Sequence, residues 1–493
     1  MSKRIEYLII FGILFSAIII RLYISTIFYC TSPDEFANIF LARNTFESGL
    51  KAYPHLFMWF YYFISALLIH IVKDAFLATK LVTIIFGTAS IALVYVIARR
   101  IFDKKIALLS SFLLFVNPEF TMISSTPLRE PVYTFFILLA MLLLINKHTI
   151  GGAISIGMSF LTRAEGLLIG MPTYIVNILF VVRRKRVIWT LFVILIFMLF
   201  ILFMNLWLEK PFVYLTQSLE HTGAVIGYAG NAPPLYKLFK ANINMFRYLF
   251  GVIGLNIVFF LIGIYFFIKD KVDKNIKIII LTFFISHILF WLIYLYRFKL
   301  FPADYHRYLY PTIPFLVIFA AYGFHKLEQI SMLKKIVISA LIFNIVGGFI
   351  IYYFSNGRRY FNESHYNEWQ VMASYWVEKN ISQTTENKIL ADGIPFFYLF
   401  HAHNRYNLLK FETFITELGK EPEDLLSFIS KNNIKYVIWT DEDRFCRKGA
   451  PYLGNAKEIR SEIGALKPIK MWKAGKFSCL IYKYFGYSDR TTI

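Results

Sequence analysis

The chain has 493 residues, 57% of them hydrophobic, 19% aromatic and only 17% charged, and its 52 basic and 31 acidic residues leave a net charge of +21. Soluble domains average about 45–50% apolar and about 25% charged, so this composition excludes a soluble enzyme and a disordered chain, and three cysteines exclude a disulfide scaffold. The basic residues fall mostly in short stretches between apolar runs, where they read as topology signals rather than as a nucleic-acid surface.

Taken in chain order, runs of roughly 20 apolar residues predict about eleven membrane spans. They lie near 5–28, 79–98, 106–124, 131–146, 150–163, 166–182, 187–207, 246–268, 278–296, 310–325 and 336–354. The first is retained as an anchor, because no small-residue cleavage site follows it. Residues 54–72 are also apolar, but Phe57, Trp59, Phe60, Tyr61, Tyr62 and Phe63 suit an interface. If 54–72 does not cross, Lys3, Arg4, Arg99, Arg100, Lys104, Lys105, Lys147, Arg183 to Arg186, Lys269, Lys271, Lys274, Lys277, Lys334 and Lys335 all fall on one side. The positive-inside rule makes that side the cytoplasm. The expectation is a multi-pass protein of the cell membrane with a cytoplasmic N-terminus. The outer segments are then 29–80, the surroundings of 125–130, 208–247 and everything after residue 354.

The tail, 356–493, is of different material and is expected to form a small extracytoplasmic α/β or α+β domain. Within it 368–381 and 422–432 read as helices, and 388–391, 435–440 and 476–484 as strands.

The most informative motif follows the first span: Thr31-Ser32-Pro33-Asp34-Glu35-Phe36-Ala37-Asn38. Ser32 suits an N-cap, Pro33 the first helical position, and Glu35 completes a capping box. With Gly49 as the stop signal, a helix is expected over 33–48, at the outer membrane surface. Glu35 is then the capping partner. Asp34, on another face, is free to serve as a catalytic carboxylate, although it also suits the helix dipole.

The Asp34-Glu35 pair just after the first span, followed by Ala42-Arg43 and Gly49, resembles the GT-C membrane glycosyltransferases. Within that fold the chain looks most like the protein O-mannosyltransferase and lipid A aminoarabinose transferase group. Tyr53-Pro54-His55-Leu56 is similar to that group's Pro-Pro-Leu turn into an interfacial helix, and Leu77-Ala78-Thr79-Lys80-Leu81 to the start of its second span, with lysine replacing arginine. Phe160-Leu161-Thr162-Arg163-Ala164-Glu165-Gly166 and His306-Arg307-Tyr308-Leu309-Tyr310-Pro311 resemble two further segments in the same order. Ala37 stands where the aminoarabinose group has arginine, and the lysine before that group's Pro-Pro turn is missing, so the resemblance to that group does not extend to its sugar.

The resemblance implies transfer of a single sugar, a mannose-like hexose, from a polyprenyl or dolichyl phosphate to a hydroxyl on the outer face. The acceptor is a protein, lipid or glycan, and the partners are membrane lipid and the lipid-linked donor, not nucleic acid. Such chemistry needs a base, cations for the leaving phosphate and a greasy groove. Asp34 is the expected base, with Glu35 beside it and Glu130 orienting the acceptor. Lys51, His55, Lys80, Arg129, Arg163, Glu165, His306, Arg307 and Tyr308 are the expected substrate contacts. Blander readings stand beside these: interfacial charges for Arg129 and Glu130, an ion pair at a tight turn for Arg163 and Glu165, and interface anchors for Arg307 and Tyr308. No resident metal is expected. The histidines lack metal spacing, and a divalent cation between Asp34 and Glu130 is the less favoured alternative. The competing function is a transporter or flippase of lipid-linked sugars, which would not need Asp34 as a base.

Overall fold

The computed structural model describes residues 2–28, 33–50, 59–163, 165–181, 254, 256–298, 310–330 and 334–352, and in the tail 376–377, 379–381, 388–391, 407–410, 429–440, 466–474 and 477–484. The chain divides into two units. One comprises Met1–Thr26 and Thr45–Arg358, the other Ile27–Asn44 and Arg359–Ile493.

The first unit is helical among the described residues. Its helices are α1 (Lys3–Ile27), α3 (Phe60–Val72), α4 (Ala75–Ile101), α5 (Lys104–Phe115), α6 (Pro118–Ile123), α7 (Glu130–Ile145), α8 (Thr149–Thr162) and α9 (Glu165–Val181). Further along the chain come α10 (Asn256–Lys269), α11 (Lys274–Phe298), α12 (Ile313–Glu328) and α13 (Lys334–Tyr352). The helix α2 (Pro33–Glu47) starts in the second unit and ends in the first. Among the described residues α1 and α4 are long and apolar enough to cross a membrane unaided.

The local sequence accounts for the helix ends. Gly49 at φ +69° sends its N–H to Phe46, and Leu50 sends its own to Thr45, the two bonds that close a helix on a left-handed residue. Lys73 ends α3 in the same left-handed region, and Asp74 then caps α4 by accepting from the Leu77 N–H at 2.7 Å. With 13 residues, α3 is about 20 Å long, short of the roughly 30 Å hydrocarbon layer.

The expected span 106–124 is not one helix. It breaks at Val116-Asn117 into α5 and the six-residue α6. Asn117 accepts the Phe120 N–H at 2.8 Å and Pro118 follows at the first position, so a new helix start interrupts an otherwise continuous apolar run. The expected span 187–207 lies outside the described residues.

The core of this unit runs through α4, α5, α6, α7, α9, α11 and α12. Ile91, Val94, Leu114, Phe120, Leu138, Tyr174, Phe283 and Phe315 are among its buried members. α10 lies along α12, α8 along α7 and α9 along α11.

In the second unit five strands form one mixed sheet: β1 (Lys388–Ala391), β2 (Asn407–Lys410), β3 (Ile434–Thr440), β4 (Leu466–Ala474) and β5 (Phe477–Tyr484), in the order β2-β1-β3-β5-β4. β1 runs parallel to both neighbours, while β5 is antiparallel to β3 and β4. Ile434, Val437 and Ile438 bury the middle of β3. β2 and β4 were not expected from the sequence. β4 carries Pro468, which an edge strand tolerates because its outer face needs no donor.

Candidate active site

The tight turn between α8 and α9 carries two charges into the protein. Arg163 closes α8 in extended geometry, donating its N–H to Ser159 at 2.9 Å, and its own carbonyl accepts from Gly166 at 2.9 Å. A side chain at position 166 would put its Cβ 2.6 Å from the Phe160 nitrogen, so only glycine lets the chain turn here. Glu165 therefore opens α9 two residues after Arg163, and both side chains point to the same place. Arg163 Nη2 lies 3.0 Å from Glu165 Oε1, and Nε lies 3.3 Å from Oε2.

The remaining guanidinium nitrogen, Nη1, donates to Glu130 Oε1. Glu130 is the first residue of α7 and is 1% exposed; Arg163 is 5% exposed. One cation thus holds two carboxylates from different parts of the chain, and the cluster carries a net charge of −1 when all three are ionised. Burying an isolated charge is costly, and the arrangement offsets that cost with charge-assisted, partly bidentate contacts. Tyr133 lies one turn along α7 from Glu130, is buried, and is within electrostatic reach of Glu165 and Arg163. Arg129, half-buried just ahead of Glu130, adds a further positive charge acting on Glu165.

Lys80 takes a different position. It is 2% exposed in the first half of α4, its Nζ donates to the Ser25 carbonyl near the end of α1 at 2.6 Å, and it lies 4.1 Å from the Phe76 ring centre. Glu35 in α2 is fully buried, on one helix face with Asn38, Ile39 and Ala42. Asp34 is the second residue of the same helix. Lys51, His55, His306, Arg307 and Tyr308 lie outside the described residues. So of the expected contacts the structure brings together Glu130, Arg163 and Glu165, and sets Lys80 against the end of α1. Among the described residues no group of three or more histidine, cysteine or acidic side chains could hold a metal.

Among the described residues, sequence reading passed over three buried charged residues, Glu6, Arg21 and Glu119. Arg21, inside the first apolar run, is 0% exposed and bonds to Ser124. Its signal was available: a lone arginine in a membrane segment is costly unless it has a task.

Comparison with known proteins adds the wider context. Residues 55–208 match the family described as dolichyl-phosphate-mannose-protein mannosyltransferase. That segment contains α3 to α9 and with them Lys80, Glu130, Arg163 and Glu165. No curated protein matches the chain in sequence. Among solved structures, the chain resembles ArnT from Cupriavidus metallidurans bound to undecaprenyl phosphate. The TM-score is 0.60 at 11% identity, over 96% of this chain and 98% of that one. It also resembles the oligosaccharyltransferase of Archaeoglobus fulgidus, with a TM-score of 0.54 at 14% identity, over 88% of this chain and 70% of that one. One structure of that enzyme is tethered to an acceptor peptide containing an NVT sequon. At these identities the likeness is one of fold, the GT-C fold of membrane glycosyltransferases. Family match and fold agree on the enzyme class: a membrane glycosyltransferase that works with a lipid-linked donor.

Proposed function

We propose that the chain transfers a single mannose-like hexose from a polyprenyl phosphate to a hydroxyl acceptor on the outer face of the membrane. The observation that carries this reading is the buried Glu130–Arg163–Glu165 cluster, which lies inside the segment matching the mannosyltransferase family. The family description supplies the sugar and the carrier. On the expected topology Glu130 and Arg163 lie at the outer membrane surface, where a lipid-linked donor keeps its reactive group.

In the proposed reaction the acceptor oxygen attacks C1 of the sugar. The bond from C1 to the phosphate oxygen breaks, its electrons leave with the phosphate, and the acceptor proton passes to the Asp34 carboxylate. Lys80, Lys51 and Arg307 supply the positive charge that the departing phosphate needs. Arg163, already shared by two carboxylates, serves chiefly to hold Glu130 in one orientation, and Glu130 in turn fixes the acceptor. No step uses a metal.

The test is turnover by the purified chain in nanodiscs containing dolichyl- or undecaprenyl-phosphate mannose, with a serine- or threonine-containing peptide or a glycan as acceptor. Release of polyprenyl phosphate together with a mannosylated acceptor supports the proposal. Movement of intact lipid-linked sugar without cleavage would replace it with the transporter reading.

A further inference from the structure

α1 meets the rest of its unit along one narrow stripe. Glu6, Ile10, Ala17 and Arg21 are its buried residues, while Phe11, Phe15, Ile19 and Tyr23 are among many that are exposed. Spacings of four, seven and four residues put the buried set on one helix face. In a membrane the lipid is as apolar as the side chains, so interhelical polar contacts act beside close packing in fixing the rotation and height of such a helix. The stripe has one buried charged residue near each end. Glu6 accepts from the Tyr95 hydroxyl and lies 3.3 Å from Arg99. Arg21 is the other.

Arg21 differs from Glu6 in lacking an opposite charge: among the described residues no carboxylate lies within ion-pairing distance of it. Its Nε donates to Ser124 Oγ at 2.7 Å and its Nη1 to the Ala17 carbonyl at 3.1 Å, and Nη2 is buried without a partner among the described residues. The guanidinium carbon lies 5.7 Å from the Phe120 ring centre. Phe120 stacks on Tyr310 at 4.8 Å with 4° between the planes, and the Tyr310 hydroxyl donates to the Phe120 carbonyl at 3.2 Å. So one arginine grips both ends of the short helix α6, through Phe120 near its start and Ser124 at its close.

The connector beyond α6 is tightly bonded. Ser125 Oγ donates to the Thr121 carbonyl at 2.7 Å, the Leu128 N–H donates to Thr126 at 2.7 Å, and residues 123–128 are all buried. Two residues later comes Glu130. Ser124 is also wedged on its other side: a Cβ at Gly87 would come within 2.4 Å of Ser124 Cβ.

We infer that Arg21 is a positioning residue for the transfer reaction: through Ser124 and the Phe120–Tyr310 stack it fixes the connector 124–129, and thereby the place at which Glu130 meets Arg163. The inference rests on the proposed role of Glu130 in transfer, but its structural half can be tested without turnover.

The experiment compares the full chain in nanodiscs as wild type, Arg21→Met, Arg21→Lys and Ser124→Ala. Methionine keeps length and bulk without charge or donors, lysine keeps the charge, and Ser124→Ala removes one bond while leaving the cation. Amide exchange by mass spectrometry over 118–130 is the first readout. Arg21→Met should exchange there about tenfold faster or more, Ser124→Ala less so, with α9 and α11 unchanged. The second readout is kinetic. Arg21→Met should lower kcat roughly tenfold or more at a donor KM within about threefold, a loss confined to the transition state, with Arg21→Lys partly rescued. Unchanged exchange in both Arg21→Met and Ser124→Ala overturns the inference, and so does a folded Arg21→Met with wild-type kcat. If Arg21→Met does not fold, Ser124→Ala decides by the same readouts. A wild type that exchanges as described but turns over no donor defeats the proposed function, while the exchange data still decide whether Arg21 holds the connector.

Discussion

Arg163 reaches Glu130 across two helices, from the last turn of α8 to the first residue of α7, and both side chains are nearly inaccessible to solvent. Breaking a buried pair by removing one member leaves an uncompensated charge and costs about 3–5 kcal/mol. Here removing the cation leaves two carboxylates facing each other, whereas removing one carboxylate leaves a balanced pair. Arg163→Met is therefore expected to destabilise the protein by about 3–5 kcal/mol, and Glu130→Gln by clearly less. Thermal unfolding in detergent, followed by intrinsic fluorescence, compares the two. Equal losses would mean that the cluster is not coupled as its geometry indicates. Combining Arg163→Met with Glu130→Gln should recover part of the loss, because contacting residues do not contribute additively.

That cluster shows where sequence reading works and where it stops. Arg163 and Glu165 stood out because charges between two apolar runs are costly in lipid, and their proximity followed from a spacing of two. Glu130 stood out for its place ahead of a span. Nothing in hydropathy says which helices are neighbours, so the bond between residues 33 apart in sequence was not readable. Arg21 escaped for a related reason: one charge barely changes the average over a long apolar window, although its cost inside the membrane is high. The break at Asn117-Pro118 was written in the sequence as a cap followed by a first-turn proline, and was hidden because both sides are apolar. β1, β3 and β5 were visible as β-rich runs, although β3 starts one residue earlier and β5 one residue later than expected. β2 has only four residues and β4 mixes lysines with a proline, so neither has the pattern of a buried strand.

A second ionic cluster gives a pH prediction. Asp270 follows α10, and Lys326 Nζ lies 2.6 Å from its Oδ2, which also accepts the Tyr322 hydroxyl. These two hydrogen bonds, that of Lys326 first, hold the Asp270 carboxyl below its ordinary range. A group whose pKa is lower folded than unfolded contributes stability that is complete above its unfolded value, near about 4, and that disappears as pH falls through the folded value. Wild-type stability should therefore fall more steeply than that of Asp270→Asn as pH drops below about 4, and the two should run parallel above about pH 5.5. Unfolding midpoints measured from pH 7 downward check this. Parallel curves throughout would show that the cluster contributes nothing to acid stability.

In the proposed transfer Lys80 brings a cation to the donor phosphate. Its Nζ now bonds a helix-terminal carbonyl, a contact that a phosphate oxygen would outcompete as a charge-assisted acceptor. Lys80→Ala should weaken binding of undecaprenyl phosphate by about tenfold or more, and Lys80→Arg should keep most of it. Isothermal titration in detergent measures both. An unchanged affinity in Lys80→Ala would move the phosphate towards Lys51 or Arg307.

The expected topology places the basic clusters inside and the tail outside. Lys104 opens α5, and Ser430 lies just before β3 in the tail sheet. With single cysteines at these positions in a chain otherwise free of cysteine, an impermeant maleimide added to intact cells should label Ser430→Cys. It should label Lys104→Cys only after lysis. Labelling of both from outside would invert the membrane part and remove Asp34 from the donor side.

The decisive mechanistic comparison is between Asp34 and Glu35, neighbours in α2 that cannot share a face. Glu35 is fully buried, in line with Asn38, Ile39 and Ala42, which gives it a structural task; Ser32, its partner in the expected capping box, lies outside the described residues. Asp34 is the second residue of the helix, where the positive end of the dipole favours the ionised carboxylate. In the proposed transfer it would act as a weak base. It would accept the proton late, as the bond to the sugar carbon forms. Asp34→Asn keeps the shape and removes the basicity, so turnover should drop by roughly 10²–10⁴ while undecaprenyl phosphate binds as before. Glu35→Gln should instead lower stability, by about 1–3 kcal/mol for a buried polar group losing partners, and leave turnover per folded molecule within about threefold. Turnover with dolichyl-phosphate mannose, corrected for folded fraction, separates the two. If Glu35→Gln abolishes turnover and Asp34→Asn does not, the roles exchange. Full turnover in both would take the base out of α2 altogether, and with it the proton path proposed for the transfer.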